Sequence, residues 1–357
     1  MNRSYNMQAN ERLFILSDMY NDEKVYFDNC LGENLFGKVV LHRVENIVYK
    51  KLLCDKKVNL GIYKKYFETL YRQAINEVDR YEENLLQVCK TMEEAKFRFA
   101  FLKGAFLITN VYEKGLRYSN DIDILISEKD IDECQSILLK NGFVQGYVEH
   151  GVLHRASRRE IVLSRMNYGE TIPFCKVEGE RTVYVDLNFS LDYKPALDSK
   201  IIGHMLENTR EISWRNSIIK TLNMADFVIH LCMHLYKEAT TMDWVIRRKD
   251  LNLYKFNDLN IIFHECVSDE MYEQITELIT NYGVQKECYY ALFYAAKIYK
   301  SLMKQEKYVD LLCEIKPEDT GYLCQVVDPE NKKVYMHRMS FEEWFACEER
   351  VKYLYEV

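Results

Sequence analysis

The sequence predicts an α+β protein, in which strands in the middle of the chain lie between two long helical segments. Residues 96–195 contain short stretches where apolar and polar side chains alternate, as in strands. Residues 1–95 and the stretch from 196 to about 310 carry apolar side chains at helical spacing. With only 4 prolines and 13 glycines in 357 residues, helices should dominate. We therefore predict an N-terminal helical segment (1–95), a β-containing core (96–195) and a mainly helical C-terminal domain with a terminal hairpin (196–357).

The first 95 residues show the periodicity of helices. Apolar and aromatic side chains recur at steps of three and four, which places them on one helix face. We interpret these stripes as core-packing surfaces, and we expect the segment to form a helical cap or arm on the sheet. The residues of the stripes are Leu13, Leu16, Tyr20, Tyr63, Tyr66, Phe67, Leu70, Leu85, Leu86 and Val88.

A strand followed by a tight turn is predicted near residue 100. Phenylalanines alternate with other residues up to Phe101, and Lys103 and Gly104 follow. Helical spacing begins at Ala105, so Gly104 lies at a strand-to-helix turn. A glycine turn of this kind lets backbone amides approach a phosphate group.

The next strand begins with a pair of acids, Asp121 and Asp123. Residues two apart in a strand point to the same side, so both carboxylates should emerge together while Ile122, Ile124 and Ile126 face a buried layer. Two adjacent carboxylates repel each other unless a cation neutralises them. Mg²⁺ or Mn²⁺, which prefer oxygen ligands, would meet that need.

A third candidate acid, Asp186, lies in another alternating segment. Val185 and Leu187 would face the core, which leaves Asp186 on the same side as Tyr184 and Asn188. The chain order is then strand, glycine turn, helix, Asp-x-Asp strand, and a later strand with a third aspartate.

This order of residues resembles the nucleotidyltransferase superfamily of the DNA polymerase beta type. It is most similar to an uncharacterised bacterial branch, in which Lys-Gly takes the place of the usual Gly-Ser and an Arg precedes Asp-Ile-Asp. Ala105 stands where the wider superfamily has a phosphate-binding Ser, and Gly104 and Asp121 are 17 positions apart, longer than is usual; both features suit the branch. The residues that carry the resemblance are Lys103, Gly104, Arg117, Ser119, Asp121, Ile122, Asp123 and Asp186.

The resemblance implies a polymerase-beta-like mixed sheet flanked by helices, and a metal-dependent reaction. Two ions, Mg²⁺ or Mn²⁺, would be held by Asp121, Asp123 and Asp186, and Asp186 would also be a candidate for the base. An NMP group would pass from an NTP, with ATP the expected nucleotide, to a hydroxyl of an acceptor, releasing pyrophosphate. The implied nucleotide-binding residues are Lys103, Gly104, Arg117 and Ser119.

The remaining elements are predicted from local patterns. Ser127 should cap a helix that begins near Glu128 and ends at Asn141-Gly142. Residues 143–188 indicate several antiparallel strands, and the helical pattern resumes beyond Pro195. A hairpin around residue 330 and a short helix from 341 to 355 should close the chain. Arginines in the strand region and in the WVIRRKDL segment are expected on solvated faces, or in contact with phosphate or an acidic substrate; they are Arg155, Arg158, Arg159, Arg165, Arg247 and Arg248.

Two other classes of function remain open. One is a non-catalytic module that binds nucleotides or a partner on the same fold. The other is a metal hydrolase centred on His230 and His234, which with Asp226 lie at steps of four on one helix face. The Glu of a HExxH zinc motif is absent, because Leu231 follows His230. We therefore expect a structural role, or contact with the substrate cleft, rather than a metal site.

Composition limits the partners. The formal net charge of −7 makes a long nucleic acid the least favoured acceptor, which leaves a small molecule or a protein hydroxyl. The 11 cysteines include no CxxC pair, and the first residues lack an apolar signal segment. No apolar run approaches the roughly 20 residues that span a bilayer. We expect reduced thiols, a cytoplasmic location and no membrane contact.

Overall fold

The chain divides into two compact units. One is discontinuous and combines Met1–Gln73 with Leu231–Val357, and the other is the continuous stretch Ala74–His230. The predicted boundary at 195/196 lies outside the described residues, and the three-part division stays a prediction. The computed structural model describes residues 2–23, 32–54, 60–179, 181–191 and 199–357.

Helices supply most of the regular structure and occur in both units. The three-residue α5 continues directly into a π-helix, Leu107–Val111. In chain order the helices are α1 (Asn2–Ser17), α2 (Glu33–Leu41), α3 (Glu45–Cys54), α4 (Tyr63–Met92), α5 (Gly104–Phe106), α6 (Ile131–Lys140), α7 (Arg158–Tyr168), α8 (Ser199–Glu207), α9 (Met224–Ala239), α10 (Met242–Ile246), α11 (Leu253–Glu265), α12 (Asp269–Tyr282), α13 (Gln285–Ile298), α14 (Glu306–Glu314) and α15 (Phe341–Ala346).

The strands form one sheet in each unit. They are β1 (Phe99–Phe101), β2 (Asp121–Ile126), β3 (Val144–Glu149), β4 (Val152–Arg155), β5 (Phe174–Glu178), β6 (Arg181–Asn188), β7 (Thr209–Trp214), β8 (Ser217–Leu222), β9 (Gln325–Asp328), β10 (Lys333–Met336) and β11 (Tyr355–Glu356). The larger sheet has the order β4–β3–β5–β6–β2–β1–β8–β7, and the smaller β11–β10–β9. Since β2–β6 and β1–β8 are parallel and the other neighbours antiparallel, the larger sheet is mixed, which agrees with the predicted α+β class.

The core of the continuous unit contains one face of the larger sheet and the second half of α4. Leu85 and Val88 of α4 belong to one hydrophobic cluster with Ile122 and Ile124 of β2, as the alternation in β2 predicts. The other face of β2 is also covered, since Leu125 is fully buried. The register of this strand is therefore well defined, because a shift by one residue would turn the acids into the apolar cluster that contains Ile122 and Ile124.

The two segments of the discontinuous unit are joined to each other through a buried polar network. Asp18, directly after α1, accepts hydrogen bonds from Ser301 Oγ at 2.7 Å and from Asn260 Nδ2 at 3.2 Å. The Ser301 backbone N–H donates to the second Asp18 oxygen at 3.2 Å. A buried carboxylate is stable only when it is bonded in this way, so the N-terminal segment depends on residues from the distant end of the chain.

Strand β1 is shorter than its phenylalanine pattern indicates. The pattern begins at Phe97, but the strand covers only Phe99–Phe101, and Leu102 N–H then donates to the Asp123 carbonyl at 3.0 Å. The predicted helix after the turn is present as α5 and the π-helix that follows it. The order of strand, turn and helix is therefore confirmed.

Two predicted elements differ from those observed. Helix α7 replaces strand structure between residues 158 and 168, because Ser157 and Glu160 form a reciprocal capping box and Gly169 ends the helix with a φ of 63°. The hairpin β7–β8 replaces helix between residues 209 and 222, where β8 pairs with β1 and completes that side of the sheet. Among the described side chains, neither residues 158–168 nor residues 209–222 have a row of buried apolar side chains at helical spacing.

Smaller differences occur at element ends. Ser127 makes no side-chain capping bond, and residues Glu128–Asp130 form a 3-10 turn before α6, so the predicted cap is wrong. The C-terminal hairpin is confirmed as β9–β10, but the helix after it ends at Ala346. In the described part of the chain no disulfide is present among the cysteines, and no helix there has the length and apolar character to cross a membrane.

Candidate functional site

The three predicted acids lie on adjacent parallel strands. Asp121 and Asp123 are on β2 and Asp186 is on β6, and the register of the two strands pairs Asp123 directly with Asp186. Paired residues of neighbouring strands project from the same face. Aspartates 63 positions apart in the chain are thus brought together by the sheet.

Lys103, at the end of β1, forms an ion pair with the central acid. Its Nζ lies 2.8 Å from Asp123 Oδ1, and the two side chains are only 16% and 8% exposed. Asn188 Nδ2 approaches the same oxygen at 3.4 Å. Because water is largely excluded, this pair is much less screened than a surface ion pair.

The backbone at the Lys103-Gly104 turn is strained. Lys103 has φ 34° and ψ −105°, which lies outside the regions that L-residues favour and costs of order 1–3 kcal/mol. Gly104 is held by packing: a Cβ placed there would lie 2.9 Å from Tyr81 Oη and 3.2 Å from Ser119 Cβ. Any larger residue at position 104 would have to displace one of these neighbours.

Tyr81, on α4, is a site residue that the sequence did not reveal. Its side chain is 3% exposed and its hydroxyl has no hydrogen-bond partner in the described structure. Burial raises its pKa well above the usual value, and the charges of Asp121 and Asp123 raise it further. The phenol of Tyr81 therefore stays neutral, and it packs against the Lys103-Gly104 turn close to Asp121 and Asp123. Its only sequence signal was a place in an amphipathic helix, which is shared by many core tyrosines.

Asp186 has a buried carboxyl with a raised pKa. Its Oδ1 is buried without a hydrogen-bond partner in the described structure. Burial raises its pKa well above the usual range, followed by the charges of Asp123, Asp121 and Glu170, and Lys103 opposes them. A carboxyl with a raised pKa and an unsatisfied oxygen is suited to hold a proton or accept a cation.

The other predicted residues are also in the neighbourhood. Ser119 Oγ donates a 2.7 Å hydrogen bond to Asp121 Oδ1, which orients that carboxylate. Arg117 is 7% exposed, and its charge lowers the pKa of Tyr81. No pattern in the sequence selects Glu170. Its backbone forms an isolated β-bridge with Asn188, and its charge raises the pKa of Asp186.

The donor set suits a hard divalent ion, but it is not assembled to hold one. Three carboxylates on one sheet face are the oxygen ligands that Mg²⁺ and Mn²⁺ prefer. Across the ranges that the structure describes, no three His, Cys, Asp or Glu side chains converge closely enough to hold a metal. Lys103 moreover engages Asp123 Oδ1, so ion binding requires side-chain rearrangement.

The residues of the histidine hypothesis have local structural contacts. Asp226 is fully buried and accepts a 2.6 Å hydrogen bond from Asn223 Nδ2 at the start of α9. His230 is 6% exposed. In the other unit, His234 Nε2 lies 3.5 Å from Glu238 Oε1. Among described residues neither histidine belongs to a three-ligand group.

Three of the arginines discussed in the sequence have acidic partners, and one of them, Arg165, lies 3.6 Å from Asp132. Arg247 pairs with Asp243 at 3.1 Å on the surface, and Arg248 lies 3.8 Å from Glu348. Asp250 is buried in an ion pair with Arg350.

Comparison with known families identifies the class of protein. A family described as "Uncharacterised nucleotidyltransferase" matches residues 35–300, well over half of the chain. No curated protein matches the chain. The class is therefore that of the nucleotidyltransferases, transferases whose substrate is a nucleotide. The chain belongs to the matched family, and the resemblance carried by Lys103-Gly104 and the aspartates is confirmed.

Proposed function

We propose that the protein is a metal-dependent nucleotidyltransferase with a polymerase-beta-like catalytic sheet, which transfers an NMP group from an NTP to an acceptor hydroxyl and releases pyrophosphate. The main support is the parallel register that sets Asp123 opposite Asp186, with Asp121 two residues away on the same strand. Family membership supports the use of a nucleotide.

The three aspartates would hold two divalent ions, Mg²⁺ or Mn²⁺, which when bound supply electrostatic stabilisation of the phosphate charge. Ser119 fixes the orientation of Asp121 through its 2.7 Å hydrogen bond. Lys103 and Arg117 provide positive charge for the triphosphate. Ala105 has no hydroxyl with which to donate a hydrogen bond to a phosphate.

Asp186 is proposed to take the proton of the acceptor hydroxyl at Oδ1. That oxygen is buried without a partner in the described structure, and burial raises the pKa of the carboxyl. The place of Asp186 on β6, directly opposite Asp123 of the acid pair, supports this role. The proposed acceptor is a small molecule or a protein, since the net charge of −7 disfavours a long nucleic acid.

One observation favours a second function, a non-catalytic nucleotide- or partner-binding module. The Lys103 ammonium neutralises Asp123 without any metal, and the described acids do not converge on a common point. A site stabilised in this way can persist in a protein that has no need of metal.

Calorimetric titration tests the proposal. Each of the four NTPs is titrated with Mg²⁺, and then Mn²⁺, into wild-type protein and Asp123→Asn. The matched control is Asp132→Asn, whose side chain is 90% exposed. We expect at least one NTP, first of all ATP, to bind wild type and the control in a metal-dependent manner, and Asp123→Asn to lose at least tenfold in affinity.

The outcomes separate the two functions. Equal metal-dependent binding by Asp123→Asn would overturn the metal assignment. Nucleotide binding that is indifferent to metal, or absent, would favour the non-catalytic module. With binding established, the same nucleotide carrying a labelled α-phosphate identifies acceptors by transfer of the label.

A further inference from the structure

We propose that Lys103 acts as the resident cation of the metal-free site, and that a divalent ion binds by displacing its ammonium group from Asp123, which frees Lys103 to bind the triphosphate. This exchange rests on the proposed function, because it takes the aspartates as ion ligands. It adds a step in which the Asp123 carboxylate exchanges the Lys103 ammonium for a divalent ion.

The first support is the location of the ammonium. Lys103 Nζ lies 2.8 Å from Asp123 Oδ1, and both side chains are largely buried. Mg²⁺ takes carboxylate oxygens at about 2.0–2.1 Å, so an ion on Asp123 would stand within a few ångströms of this ammonium. Like charges at that separation in a dry site repel strongly. Simultaneous occupancy is therefore unfavourable.

The second support is the distribution of hydrogen bonds among the acids. Asp121 Oδ1 accepts from Ser119 and Asp123 Oδ1 accepts from Lys103, whereas Asp186 Oδ1 is buried without a partner in the described structure. Lys103 thus pairs with the central acid, while Asp186 Oδ1 stays without a hydrogen bond in the described structure. A divalent ion held by acids of both strands would neutralise Asp186 as well as Asp123, and this would favour the ion over the lysine.

The third support is the backbone of Lys103. Its φ of 34° is unfavourable for a residue with a Cβ, and it is maintained while the side chain turns toward Asp123. Release of the ammonium removes the contact that opposes relaxation of this turn. The four-carbon stem of lysine is flexible, so the freed ammonium can remain near the turn and meet a phosphate.

The exchange predicts that metal and nucleotide bind cooperatively. An ion alone must break the Lys103–Asp123 pair, whereas an ion accompanied by triphosphate gives the displaced ammonium a new partner. The lysine therefore discourages ion binding until nucleotide is present.

Two measurements test the exchange in the absence of nucleotide. Mn²⁺ affinity is obtained from the electron paramagnetic resonance signal of the free ion, for wild type, Lys103→Met and the control Lys176→Met. Lys176 pairs with Glu178 at 2.8 Å elsewhere on the sheet. We expect Lys103→Met to bind Mn²⁺ at least tenfold more tightly than wild type and the control to be unchanged.

The second measurement reports displacement directly. Amine acetylation of the wild-type protein is followed by mass spectrometry, with and without saturating Mg²⁺. We expect the rate at Lys103 to rise at least severalfold with Mg²⁺ while the rate at Lys176 stays constant.

Each outcome decides the matter. Ion binding without increased acetylation at Lys103 overturns the exchange and leaves the proposed function standing, as does equal or weaker Mn²⁺ binding by Lys103→Met. Failure of both wild type and Lys103→Met to bind Mn²⁺ overturns the exchange together with the metal assignment. Tight binding by Lys103→Met alone supports the exchange, since it shows the lysine excluding the ion.

Discussion

Asp123 on β2 and Asp186 on β6 are direct partners in a parallel strand pair, yet their environments differ. Asp123 is bonded to Lys103 and to Asn188, whereas Asp186 has a buried oxygen without a partner in the described structure. At this position of the sheet, an acid whose charge is paired thus lies beside an acid with an unsatisfied oxygen. This asymmetry, together with the packing around it, leads to specific expectations.

Asp186→Asn should stabilise the metal-free protein at neutral pH. The folded-state pKa of Asp186 is raised, so the wild type is penalised above the unfolded pKa of about 3.9 and the penalty disappears as the pH falls below it. We expect the melting temperature of the variant to exceed that of wild type by a few degrees at pH 7 and to match it near pH 4. Thermal melting in chelator checks this, with Asp132→Asn as the exposed control. A variant less stable than wild type at pH 7 would contradict the conclusion that the buried Asp186 carboxylate destabilises the metal-free protein.

Asp123→Asn should destabilise the protein. The variant relieves the repulsion between Asp121 and Asp123, but it also removes the carboxylate that pairs with the Lys103 ammonium, whose side chain is 16% exposed. We expect a loss of about 1–3 kcal/mol by chemical denaturation. Asp123→Asn combined with Lys103→Met should recover most of it, and an absence of coupling would show that the ion pair contributes little.

Gly104→Ala should destabilise the continuous unit by about 1–3 kcal/mol. The added methyl would lie 2.9 Å from Tyr81 Oη. Tyr81→Phe removes that oxygen and should relieve part of the loss, so a double-mutant cycle should show coupling. Gly203→Ala in α8 is the control, because nothing lies within 4 Å of its added Cβ. Additive effects at positions 104 and 81 would rule out the steric explanation.

Arg350→Met should cost about 3–5 kcal/mol at neutral pH, because it leaves Asp250 buried without its cation. Burial raises the pKa of Asp250 to about 6, and Arg350 opposes the rise. Below that pH the carboxyl can be protonated, so the loss should be smaller at pH 5. Denaturation at both pH values checks this. Arg247→Met, in an exposed pair with Asp243, should cost less than about 1 kcal/mol; equal costs would show that burial is unimportant.

His337 should make stability depend on pH. It stacks on Trp344 with ring centroids 3.9 Å apart, and burial lowers its pKa to about 4. The depressed value favours the neutral ring, so its stabilisation is complete above the unfolded pKa near 6.5 and is lost as the pH falls toward 4. His337→Phe should flatten the melting profile between pH 6.5 and 4.5, whereas the exposed control His154→Phe should not. His42, with a pKa lowered to about 3, leaves a residual slope in the variant.

Strand β2 and its partner β6 were accessible to sequence reasoning because both follow simple alternation. The apolar residues of β2 and β6 mark one face, and the acids are then assigned to the other. The helix at residue 158 was missed although its capping box is visible as Ser157 and Glu160, because the short glycine-separated segments around it favoured strands. Hairpin β7–β8 was missed because its exposed face carries apolar as well as charged side chains, Ile218 among them.

The contacts within the site were less accessible than the identity of its acids. Sequence patterns place Lys103 near a phosphate, but its ion pair with Asp123 depends on how β1 pairs with β2. Tyr81 reaches the site from α4, and Glu170 from the segment between α7 and β5. Such neighbours are determined by packing between elements, which local periodicity does not encode.

The discontinuous unit also has a consequence for synthesis of the chain. Residues up to Gln73 share a core with residues beyond Leu231, and Asp18 completes its hydrogen bonds only with Asn260 and Ser301. At about 5–20 residues per second on the ribosome, the N-terminal helices wait on the order of ten seconds for these partners. The continuous unit, whose residues emerge consecutively, can fold during that interval. Residues up to Gln73 are thus made before the continuous unit but buried after it, and until then their apolar side chains are open to binding by chaperones.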